Sequence, residues 1–116
     1  FLSGDSHSFW ANQLVDEAVR STGVEFGTAG ISSPCDFIES GFGPEMSRKL
    51  DRVYAEHIPE VEWTDNMHQG YVRLTFGRQS GTASFVAVST VLSPSYTTRV
   101  IHEVAFRRQE RTVRFA

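Results

Sequence analysis

Apolar and polar side chains alternate along much of the second half of the chain, a pattern typical of half-buried strands. Within residues 71–76, Val72, Leu74 and Phe76 fall on one face and polar residues on the other. Residues 82–92 are apolar on both faces, which predicts a central strand covered on both sides. The glycine-flanked stretch between these two segments predicts a hairpin turn. Alternation predicts further strands over residues 8–14, 24–29, 98–106 and 111–115.

One segment repeats its apolar residues at helical spacing instead. Pro44 suits the first position of a helix, and Pro59 ends the pattern. We therefore predict a helix from Pro44 to His57 with one face against a sheet. The expected fold class is α+β, a mostly antiparallel β-sheet with one main helix, in a single domain over residues 1–116. The apolar residues of the predicted helix are Met46, Leu50, Val53 and Tyr54.

Composition and charge narrow the function classes. The formal net charge is −3, which gives no electrostatic argument for binding nucleic acid or an anionic membrane. No apolar run is long enough to span a membrane, so no transmembrane segment is expected. Cys35 is the only cysteine, so no internal disulfide can form, and a buried small residue is its expected role. A strand with solvated cationic positions accounts for the late arginines, which are Arg99, Arg107, Arg108, Arg111 and Arg114.

The first candidate for chemistry is Gly4-Asp5-Ser6-His7, near the start of the chain. A carboxylate and an imidazole two residues apart can bind one cation or a close metal pair, as in phosphoester hydrolases. Gly4 lets the backbone bend and approach the ion. A turn in which Asp5 caps its own loop and His7 is surface explains the same residues, since short motifs have many false matches. Spacing alone leaves both interpretations open.

Three other segments carry histidines. Residues 65–68 resemble a small ligand cluster, but a turn followed by a solvated histidine is the expected structure. His102 alternates with Val100 and Val104, which predicts a partly buried core histidine on the same strand face. His57 falls in the last turn of the predicted helix, where a cation suits the helix dipole.

Several separated landmarks together resemble one family. "GDSHSFWAN" is followed by "VEFGTAGISSP" and, after a helix, by "WTDNMHQGYVRLTF". This order resembles the C-terminal part of the alkaline phosphatase D (PhoD-like) family, metal-dependent phosphatases and phosphodiesterases of the calcineurin-like metallophosphoesterase superfamily. The resemblance covers nearly the whole chain, and it implies the C-terminal half of an αββα sandwich.

The resemblance also implies roles for four residues. Asp5 and His7 would belong to the last metal-binding motif of a dinuclear site, with Asp5 as a direct ligand. His7 would act in catalysis, either by ligating metal or by donating a hydrogen bond to a phosphate oxygen. Trp10 and Asn12 would support the loop, and packing is the alternative role for both. The metals implied are calcium and iron, with manganese or zinc also compatible, because a carboxylate at this position favours oxygen-loving cations.

Most of the metal ligands of such a site come from motifs that this sequence lacks. We therefore expect the chain to be a C-terminal fragment whose partner is the upstream part of the same protein. We expect the fragment alone to bind metal weakly and to be inactive. Its parent would hydrolyse phosphate esters and would be secreted or periplasmic, as the resemblance implies.

The residues alone are also compatible with a second class of function. The chain would then be a β-rich binding or self-assembly module without catalysis. An unpaired strand edge could pair with a second copy, which would give a homo-oligomer.

Overall fold

The computed structural model describes residues 1–116 and contains two four-stranded sheets and two helices. In the first sheet the strands lie in the order β1-β3-β2-β4, and in the second they lie in the order β5-β6-β7-β8. The elements are β1 (Leu2–Ser3), β2 (Phe9–Val15), β3 (Ser21–Gly27), α1 (Asp36–Glu39), α2 (Pro44–His57), β4 (Val61–Asp65), β5 (Gly70–Phe76), β6 (Ser80–Val88), β7 (Thr98–Gln109) and β8 (Thr112–Phe115).

The first sheet places the Gly4–Ser8 loop at one end of the molecule. β1 runs parallel to β3, with Leu2 opposite Phe26, and β2 runs antiparallel to β3 and β4. The loop therefore leaves β1 beside the last residue of β3 and turns back into β2. The backbone N–H of Gly70, at the start of β5, donates to the carbonyl of Gly30 just after β3 (3.1 Å). We call this the site end.

The second sheet is an antiparallel meander, so its consecutive turns lie at opposite ends and alternate turns lie at the same end. The β5–β6 and β7–β8 turns are both far from the start of β5. The β2–β3 turn, residues 16–20, is likewise far from the Gly4–Ser8 loop, because β2 leads away from that loop. We call the end that carries these three turns the hairpin end.

The hydrophobic core lies between the two sheets. Phe85 of β6 packs edge-on against Phe9 of β2 and Phe26 of β3, with ring centroids 5.6 and 6.2 Å apart. Each fully buried phenylalanine contributes about 1.5–3 kcal/mol to folding. The eight buried members of this core are Phe9, Ala11, Val24, Phe26, Ala29, Ala83, Phe85 and Phe106.

Helix α2 packs on the outer face of the first sheet. Alternation in β2 directs Phe9 into the core and Trp10 outwards, where the Trp10 ring meets Tyr54 of the helix edge-on at 5.5 Å. The layers are therefore helix, first sheet and second sheet. The α+β class, the mostly antiparallel strands and the one main helix are all confirmed.

The structure adds elements to the sequence prediction and moves some boundaries. The helix from Pro44 to His57 has the predicted bounds. Residues 61–65 form an edge strand, β4, and residues 36–39 a single helical turn, neither of which was predicted. β6 ends at Val88 rather than at residue 92, and β7 continues to Gln109 rather than stopping at residue 106.

One face assignment was wrong. A bulge in β7 places His102 opposite Phe85 and Val100 opposite Val86, so Val100 faces outwards, away from His102. Phe76 shares the face of Val72 and Leu74, as predicted. Its ring packs edge-on against Phe106 with centroids 5.8 Å apart, although the residue is 71% exposed.

Candidate functional site

The Gly4–Ser8 loop holds its two polar residues in an unusual backbone conformation. Asp5 has φ 74° and His7 has φ 53°, both in the left-handed region that residues with a side chain rarely adopt. The N–H of Ser6 donates to the carbonyl of Gly4 (2.9 Å), which tightens the bend between them. Strained conformations of this kind persist where surrounding contacts impose them, and they concentrate at functional sites.

The imidazole of His7 lies beside an exposed carboxylate. Nδ1 of His7 lies 3.5 Å from Oδ1 of Asp36, the first residue of α1, and this nitrogen is buried without a hydrogen bond. Nε2 makes no hydrogen bond within the chain and is free to meet a ligand. Asp5 is exposed beside it. The loop therefore carries an exposed carboxylate and, two residues later, an imidazole without a hydrogen bond.

Trp10 and Asn12 have different surroundings. The indole Nε1–H of Trp10 donates to the Ser6 hydroxyl (3.1 Å), so Trp10 does hold the loop. The side chain of Asn12 donates to Glu25 on β3 (3.0 Å) and does not reach the loop. Both residues line an open groove of about 550 Å³ beside Ser6. Of the two residues, only Trp10 contacts the loop directly. The supporting roles implied for both stay predictions.

Sequence reasoning missed the residue that ties this loop to the rest of the fold. That residue is Asn66, which is 1% exposed. Its side-chain oxygen accepts a hydrogen bond of 2.7 Å from the hydroxyl of Ser8, the residue after His7. Its amide donates to Asp51 of α2 (2.6 Å). Burial raises the pKa of Asp51, and the hydrogen bond from Asn66 only partly offsets this. Nothing in the spacing of Asn66 indicates either partner.

His68 is not the solvated histidine that was expected. Its side chain is 21% exposed, and Nδ1 lies 2.8 Å from Oδ2 of Asp65. Nε2 lies 3.1 Å from a guanidinium nitrogen of Arg99 on β7, so it acts as the acceptor. Burial raises the pKa of Asp65, but hydrogen bonds from His68 outweigh this effect and hold that pKa below its usual value. Asp65, His68 and Arg99 therefore link the two sheets at the site end.

The remaining candidates have structural surroundings. Cys35 is fully buried, its thiol donates to the carbonyl of Asn66, and burial raises the pKa of that thiol. His102 stacks on Trp63 at 4.3 Å, and burial lowers its pKa, as befits a partly buried core residue. Nδ1 of His57 lies 3.0 Å from the carbonyl of Val53 in the last turn of α2. None of the three faces the Gly4–Ser8 loop.

The chain does not contain a complete metal centre. No three His, Cys, Asp or Glu side chains come together in an arrangement that could bind an ion. Asp5 and His7 are therefore at most two donors of a larger set. No helix is long and apolar enough to cross a membrane.

The fold itself defines a class of protein. The chain superposes on the solved structure of PhoD with a TM-score of 0.65 and 19% sequence identity, over 98% of this chain and 21% of that one. This likeness shows that the two chains share a fold, and this chain spans about a fifth of the length of that one. A search of curated proteins finds no match.

The family follows from the sequence. The model of the PhoD-like phosphatase family matches residues 1–85, which include the Gly4–Ser8 loop, both helices and most of β6. The chain belongs to the PhoD-like phosphatase family. The resemblance drawn from the separated motifs is confirmed.

Proposed function

We propose that this chain is the C-terminal portion of a metal-dependent phosphoester hydrolase and supplies Asp5 and His7 to its active site. The observation that carries the proposal is the Gly4–Ser8 loop, where two residues in left-handed backbone conformations supply an exposed carboxylate and an imidazole without a hydrogen bond. Membership in a phosphatase family is its second support. The substrate would be a phosphate monoester or diester.

The two side chains suit a cation centre. Asp5 supplies a hard oxygen donor without a competing partner, and Nε2 of His7 is left free because Nδ1 faces Asp36. Calcium and iron fit such a mixed oxygen and nitrogen set, and manganese or zinc are also compatible. When bound, such cations polarise the phosphate ester and activate a water as the nucleophile.

The chain's own residues would hold this geometry. Trp10 would hold the loop through its hydrogen bond to Ser6, and the carboxylate of Asp36 lies 3.5 Å from Nδ1 of His7. His7 would either ligate the metal or donate a hydrogen bond from Nε2 to a phosphate oxygen. The other metal ligands would come from the upstream part of the same protein, since two donors cannot hold a cation tightly against water. Secretion or a periplasmic location is proposed for the parent from its family.

The test compares full-length variants in metal content and turnover. Asp5→Asn and His7→Ala should each lower hydrolysis of bis(p-nitrophenyl) phosphate by at least about 100-fold, and Asp5→Asn should also lose bound metal by elemental analysis. Glu17→Gln and His57→Ala change exposed residues far from the loop and serve as matched controls. Full activity with normal metal content in Asp5→Asn would contradict the proposal.

The second candidate is a β-rich assembly module without catalysis. The outer edge of β1 pairs with no strand within the chain, and an open edge can pair with a second copy. Sedimentation of the 116-residue chain separates monomer from oligomer. If the full-length protein has phosphodiesterase activity and Asp5→Asn abolishes it, the hydrolase is favoured over the assembly module.

A further inference from the structure

Three turns from both sheets meet at the hairpin end. The N–H of Arg108, beside the β7–β8 turn, donates to the carbonyl of Gln79 in the β5–β6 turn (2.7 Å). The hydroxyl of Ser21, beside the β2–β3 turn, lies 3.4 Å from that of Thr112 at the start of β8. The three turns therefore form one continuous surface, which we call the hairpin surface.

The hairpin surface is strongly cationic although the chain is acidic overall. Residues 78–116 contain six arginines and two glutamates, whereas residues 1–77 contain twelve carboxylates and five cations. The three turns also carry Asp16, Glu17 and Glu110. Hydrogen bonds from the backbone and side chain of Arg20 lower the pKa of Asp16, so Asp16 and Arg20 offset each other and five arginines remain against Glu17 and Glu110. The exposed arginines of the surface are Arg20, Arg78, Arg107, Arg108, Arg111 and Arg114.

Two of these arginines lie directly opposite each other. Arg107 of β7 pairs in register with Arg114 of β8, and neither forms an ion pair with a carboxylate. Like charges at directly opposed strand positions destabilise a sheet. The fold gains nothing from this arrangement. An anionic partner outside the chain would relieve this repulsion by binding both arginines.

Exposed apolar residues project from the same surface. Phe76, at the β5–β6 turn, is 71% exposed, and Val19, in the β2–β3 turn, is 78% exposed. Val19 also has φ 59°, a left-handed conformation that is a true outlier for a β-branched residue. Asp16 fixes this turn by accepting hydrogen bonds from the N–H groups of Ala18 and Arg20, both 2.9 Å. The turn therefore holds Val19 exposed to solvent, in a backbone conformation that is unfavourable for valine.

We infer that the hairpin surface docks on an anionic phospholipid bilayer, with Phe76 and Val19 entering the headgroup boundary and the arginines binding lipid phosphates. Cations around exposed apolar side chains are the combination that interfacial binding requires. A soluble polyanion would use the arginines but would leave the two apolar side chains without a role.

The orientation that follows keeps the Gly4–Ser8 loop accessible. β5 and β6 have seven and nine residues, and a strand rises about 3.3 Å per residue. The loop therefore lies about 20 Å from the docked surface, at the opposite end of the strands. The inference stands on charge, exposure and turn geometry, and it does not depend on the proposed function.

Vesicle sedimentation of the full-length protein tests the charges. Vesicles of equimolar phosphatidylglycerol and phosphatidylcholine should bind it, and pure phosphatidylcholine vesicles should not. The double variant Arg107→Gln/Arg114→Gln should weaken binding about 25-fold, about fivefold for each arginine. Arg48→Gln/Arg52→Gln removes the same charge from helix α2 and should leave binding within about twofold. Equal loss in both double variants would overturn the inference.

Val19→Asn tests the apolar contact, because it should raise the stability of the protein and weaken its binding to vesicles. Asparagine tolerates the left-handed region, so this variant should be more stable to urea than the wild type. It should nevertheless bind phosphatidylglycerol vesicles about tenfold more weakly, because the apolar contact is lost. Unchanged binding of Val19→Asn, or absence of binding by the full-length wild type because the preceding part of the protein covers the surface, would each overturn the inference.

Discussion

Asn66→Ala is the substitution that most directly tests how the Gly4–Ser8 loop is held. The side chain of Asn66 is 1% exposed and joins the loop, through Ser8, to helix α2, through Asp51. The substitution deletes the 2.7 Å bond from the Ser8 hydroxyl and the 2.6 Å bond to the Asp51 carboxylate. The backbone N–H of Asn66 still donates to Asp51 (3.1 Å). Ser8, 3% exposed, loses its only side-chain partner.

The expected loss follows from these contacts. A hydrogen bond to a charged acceptor contributes about 1.5–3 kcal/mol and a neutral one about 1 kcal/mol. The charged bond belongs in the lower part of its range because Asp51 is only half-buried. The free energy of unfolding should therefore fall by about 3 kcal/mol, measured by urea denaturation with circular dichroism.

Two comparisons isolate the cause of that loss. Asn12→Ala removes a single amide bond to the partly exposed Glu25, and it should cost less than about 1 kcal/mol. Ser8→Ala combined with Asn66→Ala should cost less than the sum of the single changes, because both remove the same bond. If Asn66→Ala cost no more than Asn12→Ala, the network would not be what holds the loop.

Two further predictions concern buried ionisable groups. Burial raises the pKa of Asp51 above its ordinary 3.8, so the folded state holds this proton more tightly, and stability falls as pH rises through the raised pKa. Asp51→Asn should remove that fall in urea titrations carried upwards from pH 3.8, and a persistent fall would refute the assignment. Cys35, fully buried with a raised pKa, should react with Ellman's reagent only after unfolding, as absorbance at each urea concentration would show. Rapid reaction in the native protein would refute its burial.

The separation of charge shows why net charge was a poor guide to surfaces. A value of −3 gave no reason to expect an anionic partner. The meander places the β5–β6 and β7–β8 turns, with their arginines, at one end, while twelve of the fourteen carboxylates lie in residues 1–77. Charge summed along a chain loses this information, because a partner responds only to the groups that face it.

The sequence by itself determined the local elements and the family. Apolar spacing and flanking prolines defined α2 from Pro44 to His57, and alternation identified most strands, because both patterns act between residues close along the chain. The motifs around Asp5 and His7 indicated the PhoD-like family, which the family model confirms. The edge strand β4 was missed because its five residues are held by pairing with β2 and not by a pattern of their own.

Only the tertiary structure decided which distant residues meet. Asp36 faces His7 across 29 positions, Asn66 reaches Ser8 across 58, and Arg99 reaches His68 across 31. The bulge that separates Val100 from His102 likewise depends on how β7 pairs with β6, and the exposure of Phe76 depends on what covers the end of β5. Such contacts arise because burying apolar faces fixes the position of one sheet on the other, and polar partners then follow from that alignment.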